Sequence, residues 1–92
     1  MGWFTPKKNV KTYKLIDRSG RATYIGTTNN LWARAAEHRE SGKKFSRIVP
    51  TSGRLTRRQA EWKEKRNLGS FRQATGRNPK YNKTNNGKFN DW

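Results

Sequence analysis

Six acidic side chains serve a chain of 92 residues: Asp17, Glu37, Glu40, Glu61, Glu64 and Asp91. Cysteine is absent and histidine occurs once, as His38. Disulfides, thiolate zinc sites and all-imidazole metal sites are thereby excluded. Any bound metal must take oxygen ligands, which favours magnesium, manganese or calcium. No close acidic pair invites two metal ions. Glu61 and Glu64, three residues apart, fall on one predicted helix. Glu64 lies on the line Ala60–Glu64–Leu68, which should face a sheet, where a carboxylate is costly unless paired or metal-bound. Glu61 precedes Leu68 by seven residues, so periodicity does not exclude it. Salt bridging to neighbouring lysines and arginines is the other reading for both.

Two phenols and a helical pair are the remaining groups with chemical potential. Tyr13 and Tyr24 lie in β-rich stretches joined by a turn. Pairing Asp17 with Ala22 sets Leu15 against Tyr24 and Tyr13 against Gly26. The phenols then share a face as diagonal neighbours, about 7–8 Å apart at the backbone. Gly26 offers Tyr13 no side chain, which leaves room for a substrate beside them. An aromatic cluster filling the core is the alternative. Arg34 and His38 are four residues apart, hence on one helix face. An arginine grips phosphate through its bidentate fork, and a histidine shuttles protons near neutral pH. The plainer reading has Arg34 solvated and His38 favouring a helix C-terminus. Other templates fail. Ser19, Ser41, Ser46, Ser52 and Ser70 lack a nucleophile-elbow setting. There is no glycine-rich loop ending in Lys-Ser/Thr, and a two-histidine ribonuclease mechanism needs a second imidazole.

The charge balance identifies the class of partner. Lysine and arginine number 22 against 6 acids, a formal net charge of +16. Basic residues run from Lys7 to Lys88, so the charge belongs to the whole domain. Such a surface attracts polyanions and releases their counterions on binding. Nucleic acid is the expected partner. A solvated surface, a ribosomal-type protein and an anionic membrane surface are the alternatives. Membrane binding would want a basic amphipathic helix with a long apolar stripe, and none is found. No segment is long enough to span a bilayer, and the first nine residues lack the apolar run of a signal peptide. Hydrophobic residues make up 29% of the chain. Eleven aromatics (four Trp, three Tyr, four Phe) lead us to expect an aromatic-rich core.

The elements that must position these groups follow from local patterns. Val10–Asp17 and Ala22–Thr27 read as a hairpin about the Arg18-Ser19-Gly20-Arg21 turn. Residues 27–30 supply helix caps, and a helix is expected from Leu31 to about Ser41, stopped by Gly42. Phe45–Val49 reads as a third strand, closed by Pro50. Thr56 and Gln59 have the form of a capping box before a helix from Arg57 to about Leu68. Gly69-Ser70 should interrupt that helix, leaving Phe71–Thr75 as a short extra turn. The expected fold is α/β (α+β), a small three-stranded, mostly antiparallel sheet flanked by helices, in the order β-β-α-β-α. It forms one domain over residues 1–92, with a core near 10–82 and a tail over 83–92.

Taken together, the spacing resembles the GIY-YIG nuclease family. Tyr13 is followed after eleven residues by Tyr24-Ile25-Gly26, ten later by Arg34, four later by His38, then by a helical glutamate and by Asn82. Residues 23–38, TYIGTTNNLWARAAEH, look like the second motif and its following helix. Ala60, Glu64 and Leu68, then Pro79-Lys80-Tyr81-Asn82, are similar to the closing pattern. The resemblance spans residues 11–82. The first motif departs from it, reading Lys11-Thr12-Tyr13 in place of Gly-Ile-Tyr, with the tyrosine kept.

The resemblance implies metal-assisted hydrolysis. Glu64 would ligate a single divalent ion, Mg2+ or Mn2+. Tyr13 would stand by the attacking water, Arg34 would stabilise charge on the phosphate, and Tyr24 and His38 would orient the reacting groups. Asn82 would support the site. Nucleic-acid contacts are expected from Gly26, Asn30, Arg34, Lys43, Lys44 and Lys80. A phenol near pKa 10 needs positive charge nearby to act as a base, so Tyr13 is expected to be perturbed only with metal and substrate bound. The implied activity is endonucleolytic, on DNA in the first instance. RNA or tRNA cleavage is one alternative, and a non-catalytic nucleic-acid-binding module is the other. A small phage-type nuclease, or the catalytic domain of a secreted bacterial toxin with an acidic immunity partner, would suit such a domain, acting in the cytoplasm.

Overall fold

The computed structural model describes residues 7–82; the expected tail over 83–92 lies outside them. The elements follow the order β1 (Lys11–Ile16), β2 (Ala22–Thr28), α1 (Leu31–Glu40), β3 (Arg47–Pro50) and α2 (Arg57–Thr75). The strands form one antiparallel sheet in the order β2-β1-β3, so the first strand among the described residues is central. This is the α+β architecture expected from the sequence. No helix among the described residues is long and apolar enough to cross a membrane.

The hairpin keeps the expected pairs Tyr13↔Gly26 and Leu15↔Tyr24, but Ala22 opposes Ile16 and not Asp17. The Asp17 carboxylate explains the slip. Its Oδ1 accepts from the Ser19 and Arg21 amides at 2.9 Å each and from the Ser19 hydroxyl at 2.7 Å. That local network draws Asp17 into the turn, where Gly20 takes φ +89°. One extra residue is left in β2, a β-bulge at Thr23.

Successive residues of β2 point to opposite faces, and both faces are used. Tyr24 meets His38 of α1, while Ile25 packs with Leu68 and Phe71 of α2. The core is mainly aliphatic: Val10, Leu15, Ile16, Ile25, Ala60 and Leu68 are buried together with Tyr13. Of the aromatics expected in the core, Tyr13 is buried, while Trp32 and Trp62 are exposed and Trp3, Phe4, Phe89 and Trp92 lie outside the described residues. Both helices leave only a narrow stripe on the sheet, and the indoles fall outside it.

Helix ends follow side-chain chemistry. The Asn30 side chain accepts from Ala33 N at 3.0 Å to start α1, and Thr56 with Gln59 closes a capping box on α2. The break expected at Gly69-Ser70 is absent, and α2 runs unbroken to Gly76, which ends it at φ +79°. A mid-helix glycine costs about 1 kcal/mol, which the burial of Leu68 and Phe71 against Ile25 on either side offsets. The third strand also differs, covering Arg47–Pro50 in place of Phe45–Val49. Its ladder begins where Arg47 opposes Ile16, the last residue of β1, so Phe45 has no partner to pair with. Pro50 is tolerated because β3 is an edge strand.

The free edge of β2 is closed by the segment after α2. Tyr81 N donates to Thr23 O at 2.8 Å. The Asn82 carboxamide then accepts from Ile25 N at 2.8 Å and donates to Ile25 O at 3.0 Å. A side chain thus stands in for one residue of a fourth strand, at the position between Tyr24 and Gly26.

Candidate active site

Tyr13 and Tyr24 stand on the α1 side of the sheet with ring centroids 6.0 Å apart. The room expected over Gly26 is filled by the phenols themselves. A Cβ there would lie 2.8 Å from the Tyr13 hydroxyl and 2.8 Å from Tyr24 Cε2. Tyr13 therefore leans across Gly26, the one neighbour that lets it do so. Gly26 was expected among the nucleic-acid contacts; it is buried beneath the two rings, and its part is to make space for them.

His38 descends from the last turn of α1 and completes the cluster. Its Nε2 is 2.7 Å from the Tyr13 hydroxyl in a buried hydrogen bond, and its ring lies 4.7 Å from that of Tyr24. Phe45 meets its edge at 6.5 Å. Burial, then Lys43 and Arg34, lower the His38 pKa to about 4. The imidazole is neutral at physiological pH and does not titrate there, contrary to the near-neutral role its type first implied. A neutral Nε2 can accept the Tyr13 hydroxyl hydrogen. Burial, followed by the neighbouring Tyr24, raises the Tyr13 pKa well above that of a free phenol, with Glu64 adding to the rise and Arg34 opposing it. Tyr13 is thus perturbed without any ligand, because desolvation alone disfavours phenolate. Tyr24 is raised for the same first reason, with Glu64 and Arg34 again pulling in opposite directions.

Arg34 and Glu64 come from different helices and act on the same two phenols. The Arg34 Nη1 pairs with Glu37 at 3.0 Å, while its Nε is buried without an acceptor. An unmatched buried N–H costs about 1–3 kcal/mol; the side chain as a whole is 42% exposed and can meet a phosphate with its outer nitrogens. Glu64 is half-buried in the body of α2. Burial, then repulsion from Glu61, raises its pKa to about 7 against the pull of Arg57. It forms no ion pair among the described residues. Glu61 is exposed and acts on Glu64, so of the two acids Glu64 is the half-buried one.

No group of three or more potential metal-ligating His, Cys, Asp or Glu residues occurs among the described residues. A magnesium ion needs no such group, because it keeps several waters and commonly takes one or two carboxylates plus substrate phosphates. A desolvated carboxylate with no ion pair among the described residues fits that donor set. Glu64 is the residue that would hold the ion.

The expected basic contacts divide into two places. Lys43 Nζ stands 5.5 Å from the centre of the Tyr24 ring, at the phenol cluster. Lys44 and Lys80 gather instead at Tyr81, through the Lys44 amide on the Tyr81 hydroxyl (3.0 Å) and the Lys80 ammonium over its ring (5.2 Å). Asn30 has its Oδ1 engaged as the α1 cap, so it offers a ligand only its amide nitrogen. Three neighbours were not foreseen. Glu37 was legible from its i,i+3 spacing to Arg34. Arg57, which reaches Thr27 Oγ1 at 3.2 Å, and Phe45 depend on tertiary packing.

Searches of the chain against protein-family models, characterised proteins and solved structures find no match.

Asn82 touches no reacting group in this arrangement; it holds the Ile25 backbone and so the flanking Tyr24 and Gly26. Asn82→Ala should cost about 1–3 kcal/mol by stranding two buried backbone groups. Urea unfolding would show the lowered midpoint. An unchanged midpoint would mean that the β2 edge is held by Tyr81 alone.

Proposed function

We propose that this protein is a metal-dependent endonuclease of the GIY-YIG type, hydrolysing phosphodiester bonds of nucleic acid, with DNA as the favoured substrate. The observation that carries this reading is that Arg34 of α1 and Glu64 of α2 act with opposite sign on the same two phenols, the buried Tyr13 and the half-buried Tyr24. A guanidinium and a desolvated carboxylate with no ion pair among the described residues are the two halves of a phosphate and divalent-ion site. A binding module would use the basic surface equally well but has no need of a desolvated carboxylate. The altered first motif does not disturb the site, since Lys11 pairs in the ladder with Thr28 and Thr12 is buried against Thr51 and Ser52.

In the mechanism this supports, Lys43 and Arg34 draw the scissile phosphate to the phenols, and the Arg34 fork stabilises charge that develops on its oxygens. A water facing that phosphate donates a hydrogen bond to the Tyr13 oxygen, whose own proton points to His38 Nε2. As water attacks, the Tyr13 oxygen takes the water proton and passes its own toward His38. Phosphate offsets the charge of Lys43 and Arg34, two of the groups that depress His38, and so raises its affinity for that proton. Tyr24 holds the ring positions through its contact with His38. Glu64 would hold a divalent ion, which would supply neutralisation of charge developing in the reaction. An acidic immunity protein is a candidate partner if the domain is the active part of a secreted toxin, and the cytoplasm would be its site of action.

The test is incubation with plasmid, single-stranded DNA and total tRNA, each with Mg2+ or EDTA. Fragments are expected with Mg2+ only. Glu64 must lose its proton to take a metal, so the rate at limiting Mg2+ should fall about tenfold per pH unit below the Glu64 pKa of about 7 and level off above it. Cutting that persists in EDTA, or a rate flat from pH 5.5 to 8, would sink the reading.

A further inference from the structure

Trp32 is 88% exposed, and nothing in the fold requires an indole there. It is the second residue of α1 and borders a groove of about 450 Å³, within the roughly 300–1,000 Å³ range of ligand sites. Lys8, Lys11 and Arg54 line this groove with Thr28 and Asn30, and no acid among the described residues does. An aromatic face beside converging cations is the combination that binds unpaired nucleic acid. The cations follow the backbone, and the ring stacks on a base whatever its identity.

The groove adjoins the candidate active site. Lys11 opposes Thr28 across the β1–β2 ladder, and Tyr13 opposes Gly26. Lys11 and Thr28 therefore share the phenols' sheet face, two residues further along, a shift of about 7 Å. Lys43 stands at the phenols from the other end of α1. A strand held at both places would cross Tyr13 between them. Trp62, the other exposed indole among the described residues, is instead covered on one face by the Arg66 guanidinium at 5.3 Å.

We propose that this groove holds an unpaired nucleotide flanking the phosphate to be cut, its base stacked on Trp32 and its phosphate held by Lys8, Lys11 and Arg54. The position along the strand rests on the nuclease reading, whereas the stacking does not. The substrate class that follows is a single strand, or a duplex with a gap, flap or bulge beside the cleavage point. An intact duplex buries its base faces and has none to offer Trp32.

Fluorescence anisotropy in EDTA, where cutting is suppressed, tests this with a labelled single-stranded oligonucleotide and a fully paired duplex. Trp32→Ala should weaken single-strand binding about tenfold, and Trp32→Phe should keep most of the affinity. Trp62→Ala should change neither affinity, and the duplex should bind Trp32→Ala within about twofold of the parent protein. Unchanged single-strand affinity in Trp32→Ala, or an equal loss on both substrates, would overturn the proposal. So would a dimer in sedimentation that Trp32→Ala dissociates without affecting oligonucleotide affinity, since the surface would then belong to a second copy. Failure of the nuclease reading is seen separately, as absence of Mg2+-dependent fragments with the Trp32 effect on binding intact.

Discussion

Glu64→Gln is expected to abolish cleavage and, at the same time, to make the metal-free protein more stable. The amide keeps the shape of the side chain but is a poor ligand for a hard cation, so cleavage should drop by about 10³-fold or more. Affinity for nucleic acid in EDTA should be little changed, because one acid in a chain of net charge +16 contributes little to phosphate attraction. Glu64→Ala should likewise lose cutting but not binding. The stability effect has the opposite direction. The folded protein holds the Glu64 proton more tightly than the unfolded chain does, with a pKa of about 7 against an ordinary 4.5. Between those values the native state carries more protons, so this group's contribution to stability falls as pH rises through that window. Below pH 4.5 the carboxyl is neutral in both states and costs nothing. At pH 8 its charge is fully present and poorly solvated. Removing it should stabilise by about 1–2 kcal/mol, after discounting for the solvent on its open side, or about 4–10 °C in Tm for a chain of this size. Calorimetry at pH 4 and pH 8 should show the gain only at the higher pH. A loss of Tm at both would mean that Glu64 makes a stabilising contact and is not held ready for a cation. His38 opposes this trend. Its pKa is lowered to about 4 by burial, so its contribution is present above the ordinary 6.5 and is lost as pH falls toward 4.

Gly26→Ala should damage the site more than any other single-methyl change. The new Cβ would meet the Tyr13 hydroxyl and Tyr24 Cε2 at 2.8 Å each. Tyr13 cannot retreat, because it is 1% exposed and tied to His38 at 2.7 Å. Gly26 is not among the glycines with positive φ, so alanine brings no backbone strain and the effect is purely steric. Overpacking of this kind costs about 1–3 kcal/mol. Moving the phenols by the distance needed should lower cleavage about 10²-fold. Adding Tyr13→Phe removes one of the clashing atoms. The double variant should therefore recover part of the lost stability, a coupling expected for residues in contact, while remaining inactive. A Gly26→Ala protein with parental Tm and rate would show that the rings do not depend on that gap.

Local chemistry made much of the fold legible. Alternating residues in β1 and β2 set Tyr13 opposite Gly26 and Leu15 opposite Tyr24, because a strand has a period of two and the turn admits few registers. Asn30, and Thr56 with Gln59, marked the starts of both helices, since a cap acts within its own turn. Errors arose where distant parts intervene. Gly69 stays helical because Ile25 buries Leu68 and Phe71 beside it, and β3 starts at Arg47 because β1 ends at Ile16.

By itself, the sequence determined what kinds of group this protein can use: no thiolate, one imidazole, few acids and a strongly basic surface. Composition is conserved whatever the chain does in space. Tertiary structure alone decided the state of each group. It half-buried Glu64 and left Glu61 exposed, kept His38 neutral, covered Gly26 with phenols and left Trp32 in water. Burial and through-space charge set those states, and both depend on neighbours that lie far away along the chain.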